Sequence, residues 1–331
     1  MPSYRTVHVV KHSTDFRAAT EIVEVPELPT ASAGHVVVKN HYVGVNATDI
    51  NVTNGHYGAS QLPHGCGFEA VGEIISVGEG VENFAVGDAV AYQKMLGAFT
   101  EYAEAEVSYL IKLPSPEPWA LPLMICGVSA SIALYETGQM KSNETVLVTS
   151  AAGGTGLIAV QLAKLAGNHV IGTCSSDEKV QVLKDLGCDR VINYTKESIR
   201  EVLETEYPNG IDLVFETVGG ETMEAAIRNI AIHGRVIAFG HISAYKSGGA
   251  DRLPVPGGVL GPRSASIRGF FLANHVAQAP EHIRRLVGLI QEGKLKPAVD
   301  PTPFHGLEGI ADAIDYMYAR KNIGKLVIKL V

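Results

Sequence analysis

The stretch from Val146 to Val160 (Val-Leu-Val-Thr-Ser-Ala-Ala-Gly-Gly-Thr-Gly-Leu-Ile-Ala-Val) constrains the fold of this chain more than any other. Four β-favouring residues run into a turn of small residues, and an apolar-periodic helix opens straight afterwards. Ser150, Gly153 and Gly156, with Gly154 and Thr155 between them, have the spacing of a dinucleotide-binding turn. Small residues let the backbone approach a pyrophosphate closely, and the helix presents unpaired N–H groups and its positive dipole end. Glycine in a strand-to-helix connection can serve packing alone, so the context decides. Here the turn joins a strand to a helix and further strand–helix units follow, as the motif requires.

At 331 residues the chain is too long for one ordinary core, so two domains are expected. It carries 27 Lys and Arg against 35 Asp and Glu, a net charge of −8, with no basic block. That balance argues against nucleic acid or an anionic membrane surface as the main partner, so a bound anion needs locally placed cations. No apolar run approaches the ~20 residues of a membrane span. Met1 to Arg17 shows neither a secretory nor a transit pattern, and Lys329-Leu330-Val331 is no peroxisomal signal, so a cytoplasmic protein is expected. Cys66, Cys126, Cys174 and Cys188 are scattered, which suits reduced thiols.

Residues 1 to about 120 read as β-rich, with short runs at Val7–Val10, Val36–Val45, Ala70–Val77 and Ala89–Tyr92 separated by Gly and Asp. The prolines of Leu113-Pro-Ser-Pro-Glu-Pro118 mark a boundary. Beyond it, strands at Thr145–Thr149, His169–Thr173, Arg190–Asn193, Asp212–Glu216 and Arg235–Phe239 alternate with helices at Leu157–Ala166, Asp177–Leu186, Ser198–Tyr207 and Thr222–Ile232. This alternation predicts an α/β domain with a doubly wound parallel sheet. After Ser266–Leu272 come helices at His282–Glu292 and Gly309–Arg320 and a last strand, Lys325–Leu330, expected to rejoin the N-terminal domain.

In a doubly wound sheet the residue ending the second strand chooses the cofactor, an acid there favouring NAD. His169–Cys174 ends without an acid and is followed by Ser175, Ser176 and Lys179. Two hydroxyls and a cation suit a phosphate and favour NADP(H). The same residues also make a good helix start, with Ser176 as cap and Asp177 and Glu178 in the first turn.

The chain resembles the medium-chain dehydrogenase/reductase family, in its zinc-free quinone oxidoreductase and enone reductase branch. The marks run from about residue 30 to the C-terminus: Val45-Asn-Ala-Thr-Asp49, Gly67-Phe-Glu-Ala-Val-Gly72, Gly78-Glu-Gly-Val81, Gly87-Asp-Ala-Val90 and Gly127-Val-Ser-Ala130. They continue through the glycine turn, Gly172-Thr-Cys-Ser-Ser-Asp-Glu-Lys179, Cys188-Asp-Arg-Val-Ile-Asn-Tyr194, Glu216-Thr-Val-Gly-Gly220, Gly240-His-Ile-Ser-Ala-Tyr245 and Ser266-Ile-Arg-Gly-Phe-Phe-Leu272. The resemblance implies a GroES-like β-rich catalytic domain (1–122 and 274–331), a Rossmann domain (123–273), NADPH as cofactor, and a homodimer. It implies that Lys179 and Tyr194, with Ser175 nearby, meet the 2′-phosphate. Ser129, Gly240 and the Phe270–Phe271 backbone would flank the nicotinamide, with Tyr245 close by, and Asn322 and Lys325 would be a late cofactor contact. Without the resemblance, Phe270 and Phe271 read as core aromatics and Lys325 as a solvated charge.

Zinc-dependent relatives hold zinc through a Cys, a His in a Gly-His-Glu motif and another Cys. Here Phe68 replaces that His, Asn46 lies where a Cys is expected, and no four-Cys cluster exists. These positions lack the soft donors of a catalytic zinc site, so no metal is expected. His56 and His64 read as solvent-facing, and Glu69 as a structural hydrogen-bonding residue. Without a Lewis acid, alcohol oxidation is hard at neutral pH, but a conjugated carbonyl accepts hydride at its β-carbon and delocalises the charge. Tyr245 is the first candidate donor to the carbonyl, Tyr57 the second, and Asn46 the third through its amide. Each tyrosine also reads as an ordinary packing or loop residue, and Cys126 as a buried small hydrophobe. Ser243 to Pro262, rich in Gly and Pro, reads as a loop that covers the cleft and sets substrate length. The expected activity is reduction of an enone or alkenal, including 15-keto-prostaglandin-like lipids. The alternatives are a quinone reductase and a non-catalytic NADPH-binding sensor or structural protein.

Overall fold

The computed structural model describes residues 3–57, 61–247 and 257–331. The chain divides into two compact units, 1–125 with 299–331, and 126–298.

In the first unit the long strand His35–Val45 organises everything else. It pairs antiparallel with Glu69–Val77, with Tyr102–Glu106 and with the C-terminal strand Leu326–Lys329. Ala89–Gln93 and Leu110–Leu113 extend the sheet, and Tyr4–Val9 belongs to a separate three-stranded sheet. The β-branched runs expected from the sequence therefore pair as strands, one face packing Val71, Ala91, Leu121, Met124 and Val327 into a core. The register sets which side chains meet at the sheet's end. Leu326 faces Val45 and Val43 faces Ala70, so residues 44, 46, 69 and 325 converge there.

The second unit is a six-stranded, all-parallel sheet ordered 190–193, 169–174, 145–148, 211–216, 230–238, 266–269. The first strand lies in the middle, so the chain reverses direction of growth beside it; this is where α/β sheets receive ligands, at the carboxyl ends of the strands. Leu147, Ile171, Val214 and Val236 pack with helix residues Leu203, Met223 and Ile227 in a buried apolar core.

Several expectations are corrected. The helix expected at Thr222–Ile232 is Gly220–Arg228, and Ile230 already opens a strand, because its pairing with Ile211 buries it in the sheet. The segment 243–262 contains short helices, Ile242–Tyr245 and Gly257–Arg263, while 248–256, the middle of the expected covering loop, lies outside the described residues. Residues 274–298 belong with the Rossmann unit and not with the GroES-like one. The helix Ala279–Gln291 packs there: His282 Nδ1 and Ser131 Oγ share a 2.7 Å hydrogen bond, and Arg285 lies 3.6 Å over the Tyr135 ring. One apolar helical run, Pro118–Thr137, does reach the length and hydropathy of a membrane span, but 78% of its most apolar window is buried inside the protein, as in a core helix.

Candidate active site

In the Rossmann unit, the strand Thr145–Val148 delivers the turn to the carboxyl edge of the sheet. Ser150 takes a left-handed backbone (φ 49°), its N–H donating to Thr173 Oγ1 at 3.1 Å while Ala151 N–H donates to Thr173 O at 2.9 Å. Thr173 thus clamps the turn to the neighbouring strand. The helix Gly154–Leu165 then starts with Gly153 as an extended cap, and no side chain caps it. A Cβ at Gly156 would stand 2.4 Å from Ser150 O, so only glycine lets the helix start press against the turn. A twelve-residue helix whose first N–H groups no side chain caps, with backbone this close, fits a pyrophosphate.

The next strand ends at Cys174, and Ser176 caps the helix Asp177–Asp185 by accepting from Lys179 N–H at 3.3 Å. Ser176 thus acts as the helix cap, while Ser175 is half-buried and Lys179 is buried in the first turn. Tyr194 follows the third strand, half-buried, its N–H donating to Cys174 O at 3.1 Å. Cys126 and Ser129 are buried in helical turns.

After the fifth strand, Gly240 and Tyr245 come together. The Tyr245 hydroxyl accepts from His241 N–H at 3.4 Å, and it lies 3.0 Å from where a Gly240 side chain would begin. The His241 ring meets the Tyr245 ring edge-on at 4.7 Å. Phe270 is buried between Phe239 (5.1 Å, 9°) and His275 (5.2 Å, 17°), with Phe215 behind Phe239 at 4.8 Å, whereas Phe271 is 43% exposed. The two phenylalanines therefore play different parts, which a two-residue motif does not reveal.

In the GroES-like unit, Asn46, Glu69 and Lys325 form one buried cluster. The Lys325 ammonium, 1% exposed, pairs with the Glu69 carboxylate and donates to Asn46 Oδ1 at 2.7 Å. Asn46 Nδ2 in turn donates to Glu69 Oε1 at 2.9 Å and to Gly44 O at 3.5 Å, and Ile125 N–H donates to Glu69 Oε2 at 2.8 Å. Gly44 makes room, since a Cβ there would lie 2.6 Å from Glu69 Oε1 and 2.8 Å from Lys325 Cε. Lys325, expected as a solvated charge or a cofactor contact, is turned inward. Asn46, offered as an amide donor, points its donors at Glu69 and Gly44.

Asp49 lies next to this cluster, fully buried. Its Oδ2 accepts from Asn46 N–H at 2.7 Å and its Oδ1 has no partner among the described residues. Burial pushes its carboxyl up to about 7, against the pull of Asn46 N–H and Lys325 and with the push of Glu69. Tyr57 is half-buried, its N–H on Asn51 O at 2.7 Å, and burial raises its phenol, which stays protonated. Asn322 Nδ2 donates to Gly324 O at 3.1 Å. His56 is exposed, but His64 is half-buried in a short strand, correcting its expected solvent-facing place. Among the described residues no three His, Cys, Asp or Glu side chains gather as a metal would require.

The Glu69–Lys325 pairing and the role of Asp49 are not expected from the sequence. One signal is present there: a lysine leading into the apolar run Leu326-Val-Ile328 needs a buried partner.

Residues 154–292 match the zinc-binding dehydrogenase family and residues 32–115 the alcohol dehydrogenase GroES-like domain. A protein of Leishmania amazonensis described as "Probable quinone oxidoreductase" is 42% identical over 335 residues, covering 99% of this chain and 98% of that protein. Prostaglandin reductase-3 of Mus musculus is 42% identical over 334 residues, covering 97% of this chain and 88% of that protein. Among solved structures, Escherichia coli quinone oxidoreductase complexed with NADPH superposes with a TM-score of 0.86 at 28% identity, covering 98% of this chain and 99% of that one.

Proposed function

Because the chain belongs to the medium-chain dehydrogenase/reductase family, we infer that it is an NADPH-dependent oxidoreductase whose hydride acceptor is a conjugated C=C bond or a quinone. Within that range its reaction is reduction of an α,β-unsaturated ketone or aldehyde at the β-carbon, the substrate class spanning 15-keto-prostaglandin-like lipids and smaller enones. The observation that carries this reading is the ammonium of Lys325 on Asn46 and Glu69. In zinc-dependent relatives the residues at positions 46 and 68 are metal ligands. Here the nearby oxygens are already neutralised by a fixed cation, and Phe68 supplies no lone pair. The donor set does not fit a metal, and a substrate that becomes a delocalised enolate needs none.

NADPH, when bound, supplies the hydride. The turn from Ser150 through Gly153, Gly154 and Thr155 to Gly156 holds the pyrophosphate with backbone N–H groups. Ser175, Lys179 and Tyr194 take the 2′-phosphate, which an acid at the end of the second strand would have repelled. Ser129, Gly240 and the Phe270–Phe271 backbone serve the nicotinamide end. Tyr245 is the donor to the substrate oxygen: its phenol oxygen already accepts from His241 N–H, which strengthens its own O–H as a donor. Tyr57 is the second candidate. Asn46 is the weakest, its amide hydrogens being directed elsewhere, and Lys325 acts by fixing Asn46.

The test is to mix the protein with NADPH and a panel of enones and quinones, following loss of NADPH absorbance, and to locate deuterium delivered from labelled NADPH by mass spectrometry. Label on the β-carbon of a saturated ketone is expected. Turnover of quinones alone would replace this reading with the quinone reductase that several relatives' names favour.

A further inference from the structure

The cofactor-selecting segment carries an acid as well as hydroxyls and a lysine. Asp177, in the first turn of its helix, accepts from Asn193 Nδ2 at 3.2 Å on one oxygen and from Lys196 Nζ at 2.6 Å on the other. The Lys196 hydrogen bond, ahead of every other influence, holds the Asp177 carboxyl below its ordinary range, so the acid is ionised. In a dinucleotide site, an ionised acid at the ribose end accepts from ribose hydroxyls and repels a 2′-phosphate. The preference at this end thus turns on whether the charge of Asp177 is cancelled.

The turn that carries Lys196 is built to hold it there. Asn193 Oδ1 accepts from Thr195 N–H at 3.2 Å and Thr195 Oγ1 at 2.7 Å, and Lys196 N–H returns to Asn193 O at 2.9 Å. Glu197 accepts from Asn193 N–H at 3.2 Å and from both Nη atoms of Arg190, at 2.9 and 2.8 Å. Arg190 is therefore engaged by Glu197 and Glu206 and does not compete for Asp177. The two loops that bracket Lys179 and Tyr194 are joined through Asp177.

We propose that Lys196 is a specificity-determining positioning residue: by neutralising Asp177 it makes this end of the site select the 2′-phosphorylated cofactor over NADH. The inference rests on the reading that Ser175, Lys179 and Tyr194 receive the 2′-phosphate. Both partners are largely exposed, so the pair adds little to stability and its loss leaves the protein folded.

Direct titration of NADPH and NADH against the protein by nucleotide fluorescence gives the ratio of Kd values without any substrate. Lys196→Ala should cut the preference for NADPH about three- to tenfold, through weaker NADPH binding with NADH unchanged or tighter. Adding Asp177→Asn should restore the ratio, because no charge is left to cancel. An unchanged ratio, or equal loss for both cofactors, overturns the proposal. So does a deficit that persists in the double variant, which would mean that Lys196 meets the phosphate itself. Lys179→Ala separates the two layers. If it too leaves the ratio unchanged, the phosphate reading falls and this inference with it; if only Lys196→Ala is silent, the inference alone falls.

Discussion

The GroES-like unit buries an ammonium, a carboxylate and an amide that satisfy one another, whereas the Rossmann unit leaves a helix start without a side-chain cap and sets cations at the edge of its sheet. Both are polar devices in mostly apolar surroundings, and they solve the cost of burial in opposite ways. Closed neutralisation lets three buried polar side chains satisfy one another. A helix start that no side chain caps leaves N–H groups whose hydrogen bonding an anion would improve. Charge that is satisfied internally positions its neighbours, whereas a helix start without a side-chain cap keeps a positive dipole end that an anion would complete.

The sharpest way to break this contrast is to remove the ammonium. Lys325→Met keeps the length of the side chain but leaves Glu69 buried without its cation, and should cost about 3–5 kcal/mol in urea unfolding. Lys325→Met with Glu69→Gln should recover much of that loss. A single variant within about 1 kcal/mol of wild type would mean that Glu69 does not depend on the ammonium for its charge to be tolerated.

Asp49 tests the same cluster through pH. Its folded carboxyl, near 7, holds a proton that the unfolded one, near 3.8, has released, so stability should fall as pH rises from about 4 through about 7. The loss attributable to this group is up to about 4 kcal/mol. Asp49→Asn keeps an oxygen for Asn46 N–H and should flatten that slope. Parallel curves for the two proteins would show that Asp49 is ionised throughout.

How much of each device can be read from the chain depends on the distances along it. The glycine turn is local: Ser150 to Gly156, with strand before and helix after, carries its whole signal in consecutive residues. The parallel, doubly wound sheet is legible in the same way, from repeated strand–helix alternation, though the order of its strands is not. The closed cluster draws on residues 46, 69 and 325, which meet only because Leu326 pairs with Val45 and Ala70 with Val43. No spacing rule predicts that register, so Lys325 reads as a surface charge. The misplaced boundary at 273/274 has a similar cause, since amphipathic periodicity marks the helix Ala279–Gln291 but not the unit its apolar face joins. Ile230 and Ile232 read as helix because a helical spacing and a strand pairing can share the same apolar residues.

The glycine turn can be broken by a single methyl group. Gly156→Ala places a Cβ 2.4 Å from Ser150 O and 2.7 Å from Ala151, both backbone neighbours that cannot rotate aside. We expect a loss of about 1–3 kcal/mol in stability and NADPH binding weaker by about tenfold or more, read by nucleotide fluorescence. Gly153→Ala meets Ser150 O at 3.4 Å and should keep its stability. If both substitutions behave alike, close approach at position 156 is not what the turn requires.

The smallest effect concerns His282, which gives the Rossmann unit a pH response opposite to that of Asp49. Burial lowers its pKa, helped by Arg285 and His275 and opposed by Glu136 and Glu281. The neutral ring shares its 2.7 Å hydrogen bond with Ser131 and lies with Nε2 3.7 Å from Glu136. A base whose folded pKa is depressed loses stability as pH falls through its ordinary value of 6.5, because the unfolded ring gains a proton that the folded one resists. His282→Gln removes that titration and should cost about 1 kcal/mol at neutral pH, the worth of one buried hydrogen bond. Toward about pH 5 the gap between variant and wild type should shrink, since only the wild type carries the penalty. A gap that instead widens on acidification would mean that Glu136 holds the ring protonated in the folded protein. The helix Ala279–Gln291 would then be docked on its unit by charge, bringing that contact closer in kind to the closed cluster of the GroES-like unit.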